Sequence, residues 1–440
     1  MSTLKLSLVG FGSRVFLVGV NVASVILLAR FLAPQGRGEY FLFQSLTSVL
    51  CVFGDCGISQ SVNVFVGKET ARKSAIHSFV AKSTIVLWLG LSVFGGVSLW
   101  LAGDVLLPGF PLKWQLAAFA ILPFMLYAAF WNGMMVGLGE IVLLNIVQLV
   151  LGPLQLLLVL VFVVAFSGGV GTAIGIYFVV MFAQFAMMVA GAFRVGLFHR
   201  SAGVEEDLTR ELMRFGLRGY PNALATMAWM RMPIFFLNSY HGQVPVGIYS
   251  VAQQLSEKAL LPVQAVQDAI FKKVTGASAR EVVQLMNRYV RIMFIGVAIG
   301  ACSLAAVSPW MVAVLFGGQY QSAVPVFRIL LAGVATISVA MIVSTYVLGQ
   351  RGRPGLLSLL AASNAIVCFL LSVWLIPSWG AVGAASALAL TQVLGTAVVV
   401  SVYLSLARTS PQELFVPSSG DIVMLGKQLT EFLRRKGQPS

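Results

Sequence analysis

Four basic side chains stand inside stretches that are otherwise apolar: Arg14, Arg218, Arg231 and Lys258. A charge held in hydrocarbon is costly, so such residues face a cavity or one another. Guanidinium and ammonium groups suit phosphate, through charge and donor geometry. Arg14 shares a helical face with Asn21, and Arg231 is followed by Pro233, where a helix bends. Arg218 lies nearer the end of its stretch, within reach of the interface by snorkelling. Lys258 is mid-stretch beside Glu257, while Arg30 and Arg328 sit nearer helix ends and carry less weight. A second set is polar and periodic. At about 100° per residue, Gln44, Ser48, Asp55 and Ser59 form one stripe, and Ser250, Gln253, Glu257, Gln264 and Asp268 form another. The basic residues point to anion binding. The stripes point to a water-lined pathway, with Gln44, Asp55, Gln253, Glu257, Gln264 and Asp268 lining it or coupling it to an ion. Polar contacts that glue helices together are the competing reading.

The elements that must position these residues are membrane helices. Hydrophobic residues make up 58% of the 440 and charged residues 10%, against about 25% charged in soluble domains. We read twelve spans: 7–32, 39–66, 79–102, 114–138, 141–166, 170–195, 215–239, 245–271, 289–315, 322–348, 356–376 and 380–407. The first is expected to be a retained helix rather than a cleaved leader. The net charge of +14 is assigned to orientation of the helices rather than to nucleic acid. One set of loops carries Lys68, Arg72, Lys73, Arg200, Arg210, Arg214, Lys272, Lys273, Arg280, Arg288, Arg351 and Arg353, and the alternate set little beyond Arg37 and Lys113. The basic set is expected to face the cytoplasm, with both termini inside. Arg434, Arg435 and Lys436 near the end suit anionic lipid. Cys51, Cys56, Cys302 and Cys368 have neither metal-ligand nor disulfide spacing and are expected to be small core residues. His77, His199 and His241 belong to no catalytic motif, and no metal or cofactor is expected.

The chain nearly repeats itself. "GRGEYFLFQSL" at 36–46 returns as "PVGIYSVAQQL" at 245–255, with Gly38, Tyr40, Gln44 and Leu46 matched 209 positions later by Gly247, Tyr249, Gln253 and Leu255. Gly171 in "SGGVGTAIG" and Gly383 in "SWGAVGAAS" are 212 apart, as are Gly137 and Gly349. We therefore expect an all-α polytopic membrane protein with two pseudo-symmetric six-helix bundles at 1–200 and 215–407. A cytoplasmic linker at 201–214 and a cytoplasmic tail at 408–440 complete it. Halves of six spans share one orientation, which suits a transporter with its site between them near the midplane.

At "LLARFLAPQGRGEYFLFQSLTSVLCVFGDCGISQSV" the chain resembles the O-antigen and exopolysaccharide flippases of the multidrug/oligosaccharidyl-lipid/polysaccharide exporter superfamily. "GIYSVAQQLSEKALLPVQAV" and "LIPSWGAVGAASALAL" extend the resemblance to nearly all of the chain. It implies a V-shaped pair of bundles in the bacterial inner membrane. These would move undecaprenyl-diphosphate-linked sugar units between leaflets by alternating access, without enzymatic chemistry. The implied partners are the lipid-linked oligosaccharide, membrane lipid and a polysaccharide polymerase or assembly complex. Two other readings stay open: a drug or cation antiporter of the same superfamily, and a non-transporting scaffold of an envelope assembly complex. Acidic cavity residues favour the antiporter, and buried basic residues count against it.

Overall fold

The computed structural model describes residues 3–68, 73–198, 206–274, 279–351 and 354–416. The side chains of Arg14, Asp268, Lys272, Lys273 and Arg280 lie outside the described residues, as do Arg72, His199, Arg200, Arg353, Arg434, Arg435 and Lys436. The helices are α1 (Thr3–Asp55), α2 (Ile58–Lys68), α3 (Lys73–Leu106), α4 (Leu112–Leu138), α5 (Ile141–Leu158), α6 (Val170–Arg194) and α7 (Glu206–His241). They continue as α8 (Gln243–Lys258), α9 (Leu261–Val274), α10 (Ala279–Phe316), α11 (Ala323–Gly349), α12 (Pro354–Ala407) and α13 (Pro411–Phe415).

Among the described residues, eight helices are long and apolar enough to cross a membrane. Two of these are double. α1 breaks at Ala33 (φ 55°, ψ 173°) and α12 at Gly380 (φ 52°, ψ −127°). The remaining two passes are α7, whose charges lower its mean hydropathy, and the pair α8 and α9, each half too short alone. Twelve passes result. Residues 206–214, expected as linker, are the first turns of α7.

The second pass of each half is interrupted, where the sequence pattern suggests continuity. In the first half, Cys56 (φ 46°) and Gly57 (φ 77°) separate α1 from α2. In the second, α8 stops at Lys258 because Pro262 has no N–H to continue the ladder. Tighter bonds from Ala259 N to Ser256 O (3.1 Å) and from Leu260 N to Glu257 O (3.2 Å) close the turn.

The duplicated geometry appears in the turns. Ala33 and Gly242 (φ 77°, ψ −167°) are 209 positions apart and share a left-handed, extended conformation. Gly109 (φ 69°) pairs with Gly317 (φ 91°), and Ser167 (φ 53°) with Gly380. These turns gather at one end of the molecule, called here the Ala33 end. Asn238 Nδ2 donates to Pro108 O (3.1 Å), Gln243 Nε2 to Gly109 O (2.8 Å) and Tyr320 Oη to Ala29 O (2.9 Å). His241 Nε2 lies 2.9 Å from Ile376 O. At the same end Gly38 and Gly247 meet back to back. A Cβ on Gly38 would sit 2.9 Å from Gly247 N, and one on Gly247 would sit 3.0 Å from Gly38 N. Only glycine permits so close an approach of two backbones. At the opposite end Lys73 Nζ donates to Val195 O (2.9 Å) and Asn287 Nδ2 to Thr409 Oγ1 (3.0 Å).

Candidate functional site

Two adjoining cavities lie where α1 faces α8. The first, about 250 Å³, is lined by Phe41, Gln44, Ser45, Ser48, Tyr177, Arg231, Gln254, Glu257 and Lys258. The second, about 200 Å³, is lined by Asn21, Ser24, Val25, Leu28, Arg37, Tyr40, Gln44, Gln155, Gln254 and Lys258. Gln44, Gln254 and Lys258 belong to both. At about 1.5 Å per residue, Gln44 and Arg231 sit roughly 16 Å from the backbone breaks at 33 and 242, near the middle of a hydrocarbon core about 30 Å thick.

The local structure explains how each side chain arrives. Pro34 opens the second arm of α1 with its fixed φ, at the first helical position where a missing N–H costs nothing. Arg37, Tyr40 or Phe41, Gln44 and Ser48 then follow at helical spacing on one face. Lys258 ends α8, where the unsatisfied carbonyls of the last turn favour a cation. Arg231 precedes Pro233 in α7, and its Nη1 lies 4.0 Å from Glu257 Oε1, with both side chains partly exposed. Gln253 Nε2 donates to Glu257 Oε1 (3.0 Å). Glu257 therefore accepts one hydrogen bond, from Gln253, and faces the Arg231 charge across a longer ion pair.

The lining holds three basic groups, Arg37, Arg231 and Lys258, and one carboxylate, Glu257, so positive charge exceeds negative by two. Arg37 is 1% exposed. Its Nη2 donates to Gln254 Oε1 (2.8 Å), and its guanidinium carbon lies 5.8 Å from the Tyr40 ring centre. Arg37 Nε and Arg231 Nε have no acceptor among the described residues. Buried donors without acceptors, facing a polar cavity, favour an anionic or oxygen-rich ligand.

Of the residues singled out in the sequence, Gln44, Arg231, Glu257 and Lys258 meet around this space, with Ser48 beside them. Gln253 is buried within its own half and acts on Glu257 rather than lining the cavity. Arg218 is exposed on α7 and Gln264 exposed on α9, neither among the lining residues. Asp55 has a structural task. Its carboxylate accepts from Gly57 N (3.2 Å) and Ser59 N (3.1 Å), capping the start of α2. Arg30 Nη2 donates to Val314 O (2.7 Å) and Arg328 Nε to Ala305 O (3.0 Å), so both tie helices together.

Arg37, Tyr40, Gln155, Tyr177 and Gln254 are lining residues that the sequence pattern did not single out. Arg37 reads from sequence as a loop charge and is instead a buried member of the second arm. Its signal was a spacing of seven to Gln44 on the stripe.

Among solved structures, a multidrug resistance MATE family transporter of the MOP superfamily in an inward-facing conformation has a TM-score of 0.73 at 12% identity, covering 88% of this chain and 94% of the other. A MOP superfamily transporter from Pyrococcus furiosus, described with a binding pocket of reversed polarity that suggests a different function, has a TM-score of 0.65 at 16% identity over 91% and 92%. An outward-facing MATE family transporter has 0.63 at 17% identity over 91% and 92%. No curated protein sequence matches the chain. The fold is that of the MOP superfamily transporters, an all-α, multi-pass membrane fold. Residues 11–263 match the family model described as "Polysaccharide biosynthesis protein", and the chain belongs to that family.

Proposed function

We propose that the chain is a flippase that carries an undecaprenyl-diphosphate-linked oligosaccharide, an O-antigen or exopolysaccharide repeat unit, across the bacterial inner membrane by alternating access. The observation that carries this reading is the excess of two positive charges around a mid-membrane cavity between the halves. A diphosphate supplies the missing charge, and the amides and hydroxyls of Gln44, Ser48, Gln155 and Gln254 suit sugar hydroxyls. The Ala33 end is periplasmic in this reading. Both termini and the start of α7 are cytoplasmic, in keeping with Lys68, Lys73, Arg210, Arg214, Arg288 and Arg351 at that end. Family membership supports polysaccharide assembly as the setting, with a polymerase or assembly complex as the partner that consumes the product.

The test is polymer export in a strain lacking the native protein, with the membrane abundance of each variant measured. Lys258→Ala combined with Arg231→Ala is expected to abolish export at normal abundance, and Lys258→Arg to retain part of it. Normal export by the double variant would reject the cationic cavity as the carrier site. A second reading, export of organic cations, draws on Glu257 inside the cavity. It predicts that Glu257→Gln abolishes transport while Lys258→Ala is tolerated.

A further inference from the structure

We propose that Arg37 is both the principal contact for a diphosphate in the cavity and a ligand-sensitive latch, one of several ties between the halves at the Ala33 end, that is released when that anion arrives. This rests on the flippase reading and adds to it a residue and a coupling step.

Three observations carry it. First, Arg37 is buried, and no carboxylate pairs with it among the described residues. The acid two residues on, Glu39, accepts instead from Trp114 Nε1. Arg231 has Glu257 at 4.0 Å, whereas Arg37 has a neutral amide. A buried cation left with a neutral partner is costly unless a ligand brings the opposite charge.

Second, the bond from Arg37 Nη2 to Gln254 Oε1 (2.8 Å) joins α1 of one half to α8 of the other. The glycine contact beside it is made in both directions, Gly38 on Gly247 and Gly247 on Gly38. The Arg37 bond is made once. Shifted by the repeat of 209, Arg37 becomes Val246 and Gln254 becomes Ser45. A symmetric pair of bundles does not need this contact in order to form.

Third, Arg37 and Gln254 both line the 200 Å³ cavity that Lys258 also enters. An anion between Arg37 and Lys258 offers the guanidinium a charged, two-pronged acceptor in place of one amide oxygen. Gln254 then loses its donor, and the Ala33 end keeps the glycine contact and the bonds from Arg30, Asn238, Gln243 and Tyr320 but loses its one tie through a charged cavity residue. Loading therefore weakens closure at the end toward which the cargo must leave. This is differential binding to two states, which a conformational change driven by ligand requires.

The test uses the full chain in nanodiscs with undecaprenyl diphosphate, inorganic pyrophosphate and undecaprenol as probes. Binding, thermal unfolding and the distance between spin labels at Leu112 and Gln321 are recorded. These two sites are exposed near the Ala33 end, one in each half. Arg37→Gln is expected to weaken undecaprenyl diphosphate binding about tenfold or more, the scale of one charge-assisted hydrogen bond. Its ligand-free melting temperature should hold or rise, because an uncompensated buried charge is gone. Arg37→Lys should bind with intermediate strength. Gln254→Ala should widen the label distance without ligand, as the ligand does in the parent.

Parent-like binding by Arg37→Gln, with export by the parent intact, overturns this inference and leaves the flippase reading standing. A large fall in the melting temperature of Arg37→Gln, with no change in the label distance of Gln254→Ala, makes the pair a structural pin and also overturns it. Equal affinity for pyrophosphate overturns the lipid-linked source of the anion. Failure of the parent to bind undecaprenyl diphosphate brings down the flippase reading and this inference together.

Discussion

Substituting Gly38 by alanine should pry the halves apart at the Ala33 end. The added Cβ would stand 2.8 Å from the Gln243 carbonyl carbon and 2.9 Å from Gly247 N, and closer still to the Gln243 oxygen. Ordinary contact begins at 3.4 Å. Every obstructing atom is backbone, so no side chain can turn aside, and the two helices must part by more than half an ångström. Overpacking of this kind costs about 1–3 kcal/mol. A protein with a second conformation, open at this end, avoids the cost by populating it. The ratio of states should then shift by roughly 5- to 150-fold, at 1.4 kcal/mol per tenfold. The assay is modification of a Ser48→Cys reporter by an impermeant thiol reagent from the Ala33 side, in a background without Cys51, Cys56, Cys302 and Cys368. Gly38→Ala and Gly247→Ala should each raise the rate about tenfold or more. Gly90→Ala should leave it unchanged, since a Cβ there meets nothing within 4 Å. Unaltered rates in both gate variants, or loss of folded protein in both, would refute the contact as a gate.

Asp55→Ala should lower thermal stability by about 1 kcal/mol, the worth of a helix N-cap, while Asp55→Asn keeps most of it; equal stability of all three would remove the capping role. Ala33→Gly should stabilise by roughly 1 kcal/mol through relief of the left-handed backbone, and Gly242→Ala should destabilise by a similar amount. A Cβ at 242 meets nothing within 4 Å, so conformation alone acts there. Thermal unfolding in detergent reads both signs, and equal signs would contradict the account. Cysteines at Gln44 and Ser48 should react with small thiol reagents, while one at Leu42, fully buried within its half, should not.

The sequence repeat was legible because the two copies do the same job. Gly38 and Gly247 recur since each is the other's contact, and Ala33 and Gly242 recur as the same backbone turn. The register of the polar face was less legible. Two adjacent glutamines, Gln253 and Gln254, both fit a helical stripe to within one position, and only packing decides that Gln254 faces the cavity. Asp55 fits the stripe by spacing, but a break at Cys56 and Gly57 ends the helix there and turns the carboxylate into a cap. Arg37 was hidden by treating the residues after Pro34 as a loop. A proline followed by helix-compatible residues is also a helix start, and that alternative places Arg37 in the first turn, facing the partner half.

The central claim is that this cavity carries a lipid-linked oligosaccharide between leaflets. Vesicles containing the purified chain and a fluorescent undecaprenyl-diphosphate-linked oligosaccharide test it most directly, with a membrane-impermeant quencher reporting the outer leaflet. The account predicts exchange well above that of protein-free vesicles, lost when Arg231 and Lys258 are both replaced by alanine. Exchange no faster than in protein-free vesicles, from chain that is folded and correctly inserted, would contradict it.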